Sequence, residues 1–173
     1  ILQNYSNTNY TVRFHDDVIN NGIIQNGTSF NLEIYIAGDI YHNGTWNNRR
    51  IYLNGSGDQH ISCAEATNFD LEYFDVYNAG RNIYLDSDVF FNINTIDLND
   101  CIFIMQSGNQ LTVNANYFRD GIITGNNSIL ELSGSTRIQD MNVYDLTIQG
   151  DCYIADNSSS FNGKVILNGT LQN

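Results

Sequence analysis

At 173 residues the chain fits one domain and is long enough to bury a core. Its formal net charge of -12 repels phosphate backbones, and its seven basic residues form no cluster beyond Arg49-Arg50, so nucleic-acid binding is disfavoured. A composition that is 42% hydrophobic and 12% aromatic excludes intrinsic disorder. No apolar run reaches the ~18 residues that a membrane-spanning helix needs.

The rest of the composition points to strands and corners. The chain holds 27 Asn and 14 Gly and no Pro, and it is short of the Ala, Lys and Glu that fill helix surfaces. Asn and Gly accept left-handed backbone at low steric cost, so many tight turns between short strands are expected. Six Asn-Gly pairs begin at Asn21, Asn26, Asn43, Asn54, Asn162 and Asn168.

Taken in chain order, residues 1–30 are the least regular, with residues 11–17 reading as an edge or capping strand. Ile51-Tyr52-Leu53-Asn54-Gly55 then turns into Gln59-His60-Ile61-Ser62-Cys63. Short alternating runs follow at 81–85, 89–92, 95–98, 101–105 and 109–114. The C-terminal third repeats openly. Ile129-Leu130-Glu131-Leu132-Ser133-Gly134 aligns with Asp145-Leu146-Thr147-Ile148-Gln149-Gly150 and with Lys164-Val165-Ile166-Leu167-Asn168-Gly169. Each is a period-2 strand closed by Gly, and each is followed by a second short strand at 136–140, 152–156 and 170–173.

Strands this short cannot bury a face alone, but stacked coils can. The chain therefore reads as all-β: one right-handed parallel β-helix over residues 1–173, about 7–8 coils long at about 20–25 residues per coil. Its beginning and end in mid-pattern read as a fragment of a longer protein. Asn-Gly also marks antiparallel hairpins, which makes a β-sandwich the structural rival.

At this point the chain resembles a known family. Asp39-Ile40-Tyr41-His42-Asn43-Gly44-Thr45-Trp46 and Ile51-Tyr52-Leu53-Asn54-Gly55-Ser56-Gly57-Asp58-Gln59-His60-Ile61-Ser62 resemble strand-turn units of the parallel β-helix repeat proteins of Bacteroidota. Phe69-Asp70-Leu71-Glu72-Tyr73-Phe74-Asp75-Val76-Tyr77-Asn78 and Ile83-Tyr84-Leu85-Asp86-Ser87-Asp88-Val89 are similar to the units that follow, in the same order. The likeness covers about residues 39–113. It implies a large secreted or surface protein, adhesin- or haemagglutinin-like, often exported by the type IX secretion system. Cys63 departs from the Gly or Ser usual at its position. The resemblance carries no catalytic motif.

Candidate chemistry is sparse. Asp86 and Asp88, two residues apart, point to one side of a strand and are the weak candidates for calcium, the one cofactor considered. Solvated turn carboxylates are the ordinary role for them and for the pairs Asp16-Asp17, Asp70-Glu72 and Asp97-Asp100. Too few basic residues are present to complete a polysaccharide lyase or hydrolase site. His15, His42 and His60 lack partners at ligand spacing. Trp46, Arg49 and Arg50 form the one cluster suited to stacking a sugar or gripping an acidic group, against the plainer expectation of a corner-packing ring beside solvated guanidinium groups. Cys63, Cys101 and Cys152 lie in apolar runs and read as small buried hydrophobes, with one disulfide as the alternative.

The expected function is a non-catalytic structural or adhesive segment at the extracellular or outer cell surface. Its partners would be adjacent coils of the parent protein and a glycan or host-cell surface. A carbohydrate-active enzyme on the same fold and a cargo domain for secretion machinery are the alternatives.

Overall fold

The computed structural model describes the chain except for Ser6, Asn7, Thr28, Ser29, Ala66, Asn78, Asp156, Asn157 and Asn173. Among the described residues all secondary structure is β. In chain order the strands are β1 (Leu2–Gln3), β2 (Tyr10–Phe14), β3 (Val18–Asn20), β4 (Ile23–Gln25), β5 (Leu32–Ile36) and β6 (Ile40–His42). Then come β7 (Thr45–Leu53), β8 (Gln59–Cys63), β9 (Phe69–Val76), β10 (Asn82–Leu85), β11 (Val89–Met105) and β12 (Gln110–Asn114). The last six are β13 (Tyr117–Ser133), β14 (Arg137–Gln149), β15 (Cys152–Ile154), β16 (Ser160–Asn162), β17 (Ile166–Asn168) and β18 (Leu171–Gln172).

Every described pairing is parallel and joins a strand to the one above it in a stack of about eight turns, so the chain is a β-solenoid and not an antiparallel sandwich. Three ladders give it three faces. The first stacks Leu2, Ile24, Trp46, Phe69, Phe91, Val113 and Leu132. The second stacks Val12, Ile34, Ile51, Phe74, Ile96, Phe118, Ile138 and Ile154. The third stacks Val18, Ile40, Ile61, Leu85 and Met105, with Ile83, Phe103, Ile123, Val143 and Phe161 beside them. Strands β1 to β4 enter all three ladders in register.

The alternation seen in the sequence is the in-out alternation of these faces: Leu32–Ile36 buries its first, third and fifth residues. The three Gly-terminated repeats do stack, with one correction. Ile148 pairs with Leu167 as the alignment has it, but with Leu130 and not Leu132. A slip of two residues keeps every side chain on its own face, so the hydrophobic pattern alone does not reveal it.

The corners explain the Asn and Asp content. Among the described residues, the six non-glycine residues with positive φ are all Asn or Asp: Asn99, Asp100, Asp120, Asn127, Asp140 and Asp145. One such residue turns the chain without ending its ladder, which is why β11 and β13 each run for 17 residues across corners. Of the six Asn-Gly pairs only Asn162-Gly163 uses a left-handed glycine. At Gly27, Gly44, Gly55 and Gly169 the pair serves close stacking: a Cβ on Gly44 would lie 2.2 Å from the carbonyl oxygen of Gly22 on the coil before.

Coil length varies along the chain. Register partners are 22 residues apart at Val18 and Ile40, 17 at Ile34 and Ile51, 24 at Ile61 and Leu85, and 18 at Asn142 and Ser160. The core follows. The largest fully buried side chains, Trp46, Phe69, Phe74, Phe91, Phe103 and Phe118, lie in the longer coils. The shorter ones are filled by Leu130, Leu132, Ile138, Met141, Val143, Leu146 and Ile148.

Candidate functional site

Two surfaces of the solenoid gather chemistry, one around Arg49 and Arg50 and one around Asp86 and Asp88. Trp46 belongs to neither. Its ring is 1% exposed, packs against His42 and Phe69, and donates its indole N–H to Asn48 Oδ1 at 2.9 Å. It cannot stack a ligand from solvent, which removes it from the cluster expected from the sequence. Asn48 is itself buried and satisfied, donating to the carbonyls of Leu32 and Arg50. The neighbouring His42 is equally buried. Its Nε2 lies 3.0 Å from the Asn68 carbonyl and its Nδ1 3.4 Å from Asn20 Nδ2, and desolvation lowers its pKa.

Arg49 and Arg50 sit on the outside of the second face, and they are engaged there. Arg49 pairs with Glu33 at 3.0 Å and Glu72 at 3.1 Å. Arg50 pairs with Asp75 at 3.1 Å, donates to the Tyr52 hydroxyl at 2.8 Å and lies 4.1 Å over the Tyr73 ring. Above and below, Arg13 lies over Tyr35, Tyr35 stacks on Tyr52, and Arg119 pairs with Asp97 at 2.9 Å. Five of the seven basic residues lie on this one face, each beside a carboxylate or a tyrosine ring. Burial pushes the Asp75 carboxyl up to about 6, against the pull of Arg50 and with Asp97 adding to the rise. A small cleft of about 240 Å³ opens between Arg50, Asp75, Tyr77, Asp97 and Asn99.

Asp86 and Asp88 line a wider groove of about 740 Å³ where the third face turns into the first. Its floor carries Phe90, whose ring points outward and is 38% exposed, together with Thr112 one coil on. Asn109 and Gln110 close one side, and Glu65, Thr67 and Asn68 stand over the other. Both Asp86 oxygens have partners: His60 Nδ1 at 2.8 Å and Gln106 Nε2 at 2.7 Å. Asp88 accepts the backbone N–H of Gln110 at 2.7 Å. The pair does not converge on a common point, and among the described residues no group of three or more His, Cys, Asp or Glu is arranged to hold a metal ion.

The bond to Asp88 is one of a series. Asp17 accepts the N–H of Asp39, Asp39 that of His60, Asp58 that of Asn82, Asp145 that of Lys164 and Asp151 that of Thr170. In each case a carboxylate at a corner holds the backbone of the next coil. On the first face side chain bonds to side chain instead, where Asn47, Asp70, Asn92 and Asn114 form one hydrogen-bonded column. Much of the acidity is thus structural.

None of the three cysteines is bridged in a disulfide, and all three are buried. Desolvation pushes the thiols of Cys63 and Cys152 up to about 12 and about 11, so both are neutral at physiological pH and unsuited to nucleophilic work.

Sequence reasoning missed Phe90, Gln110 and Thr112 because the groove is assembled from residues about one coil apart, with no contiguous motif. The outward Phe90 between inward Val89 and Phe91 was the one local signal. Among the described residues no helix is long and apolar enough to cross a membrane. No family model matches the chain, and no curated protein and no solved structure matches it either.

Proposed function

We propose that this chain is a stiff structural and adhesive segment of a large secreted or surface-displayed bacterial protein, without catalysis of its own. One observation carries the reading: the polar side chains that could do chemistry are bound up in joining coil to coil. Corner carboxylates hold backbone N–H groups of the next coil, and the basic residues of the second face are paired in place. At ~4.8 Å per coil, about eight coils give a rod on the order of 38 Å long with side chains at fixed spacing on three faces. Such a rod suits a spacer that also presents a contact surface. The secreted location rests on the resemblance of residues 39–113 to the Bacteroidota repeat units.

One specific feature favours the enzymatic alternative. Asp75 and Asp97 are register neighbours on adjacent coils with Arg50 and Arg119 beside them. Two carboxylates about one coil apart have the separation of a retaining glycosidase pair, roughly 5 Å. Each is nevertheless committed to its own arginine.

Beads coated with the segment, tested on mucin and on cultured-cell surfaces, check the adhesive role, and a reducing-end assay on a panel of polysaccharides checks the enzymatic one. Adhesion without new reducing ends is expected. Depolymerisation of any substrate, abolished by Asp97→Asn, would overturn the non-catalytic reading. Beads that hold to no surface would overturn the adhesive one.

A further inference from the structure

We infer that the groove between Glu65, Asp86, Asp88 and Phe90 binds a short neutral glycan chain, whose hydroxyls donate to the carboxylates while one ring face rests on Phe90. This names the ligand class for the adhesive reading above and rests on it.

The volume comes first. About 740 Å³ lies within the range of pockets that bury a drug-sized ligand, the bulk of about two or three sugar rings. Next comes the ring. Phe90 alternates with the buried Val89 and Phe91, so its outward direction is fixed by the strand and costs no rearrangement. A flat aromatic surface held among hydroxyl, amide and carboxylate groups matches a pyranose, which has an apolar C–H face and a polar rim.

The polar groups are fixed as well. Gln106 and His60 hold Asp86, the Gln110 N–H holds Asp88, and Gln110 Nε2 is held by Thr112 and Glu131. A carboxylate oxygen that accepts one bond has a second lone pair for another donor, so these acceptors are placed in advance for ligand hydroxyls. Charge selects among glycans. No Lys or Arg lines the groove, three carboxylates do, and the chain carries a formal net charge of -12. A uronate or sulfated chain would bring anions into a negative field with no counter-charge.

The test is titration calorimetry on the 173-residue chain with manno-, malto- and cello-oligosaccharides, with oligogalacturonate and oligolysine as charged probes. Each is run with calcium and with EDTA. The variants are Phe90→Ala and Asp88→Asn, with Tyr77→Ala on the second face as control. Unchanged fluorescence of the buried Trp46 reports that each variant is folded. The expected result is binding of at least one neutral oligosaccharide, weakened tenfold or more by Phe90→Ala and by Asp88→Asn, untouched by Tyr77→Ala and indifferent to EDTA. Four results would each overturn the inference: no neutral binder, a preference for oligogalacturonate or oligolysine, loss in EDTA, or neutral binding that survives both groove variants. In the last case the adhesive reading stands and the binding surface lies elsewhere. Beads that fail to adhere test that reading separately.

Discussion

The Asp39 carboxylate accepts the backbone N–H of His60 at 2.8 Å, while Asp39 gives its own N–H to Asp17 at 2.8 Å. Three successive coils are thus tied at one corner. Asp39→Ala should cost about 1–2 kcal/mol, the range for a hydrogen bond to a charged group at a partly exposed site. Asp39→Asn retains an acceptor oxygen and should cost less. Urea unfolding followed by Trp46 fluorescence measures both, and equal effects would show that the charge, not the acceptor, matters.

Phe74 is fully buried and contacts the ring of Phe69 on its own strand and those of Phe91 and Phe103 on the next coil. Phe74→Ala should destabilise by about 3–5 kcal/mol, and Ile148→Val in the narrow coils by about 0.5–1.5 kcal/mol. Chemical denaturation ranks them, and a reversed order would contradict the placement of the large core.

Asp75 should shape the pH dependence of stability. Its folded pKa of about 6 lies above its ordinary value of 3.8, so the native state binds more protons than the unfolded chain between those pH values. Its ionised form therefore costs stability above pH 6, and protonation relieves that cost as the pH falls from 7 to 5. Asp75→Asn should remove about 1 kcal/mol of this dependence, the side chain being only 20% exposed. Paired melts of wild type and variant at pH 5 and pH 7 read the difference. A variant that tracks the wild type at both would show that Arg50 keeps Asp75 ionised throughout.

The thiols offer a chemical check. With Cys63 and Cys152 neutral and all three cysteines buried, iodoacetamide at pH 7.5 should leave the folded chain unmodified over an hour. In denaturant it should add three groups. Rapid labelling of one site in the native protein, read by mass spectrometry, would mark a local opening of that coil.

Much of the fold is legible in single residues. The alternation of Leu32, Ile34 and Ile36 gives the buried face directly, and the stacking of Ile148 on Leu167 follows from the repeat. The pairing of Leu130 with Ile148 does not, because parity is blind to a shift of two. The first coil, from β1 to β4, is obscured by strands of two to five residues and by Asn20, a polar side chain on the inward side of the third face on which His42 of the next coil stacks. Trp46 misleads for a different reason. Beside two arginines it resembles a ligand platform, yet alternation along β7 turns its ring inward with Asn48, and the corner at Arg49 and Arg50 resets the phase, leaving both arginines half-exposed before Ile51 turns in again. The carboxylate partners of Arg49 and Arg50 lie 16 to 25 residues away along the chain, so they emerge only once the coils are stacked.

The unequal length of the coils, from 17 residues between Ile34 and Ile51 to 24 between Ile61 and Leu85, bears on how the chain reaches its structure. Solenoids built from identical units risk slipped docking, in which a segment settles one turn out of place and traps the molecule. Here a slipped turn brings together loops of unequal girth and sets phenylalanine layers against space shaped for leucine and isoleucine. Irregularity of size along the axis thus acts as an address for each coil, and one native order of assembly is favoured over its shifted copies.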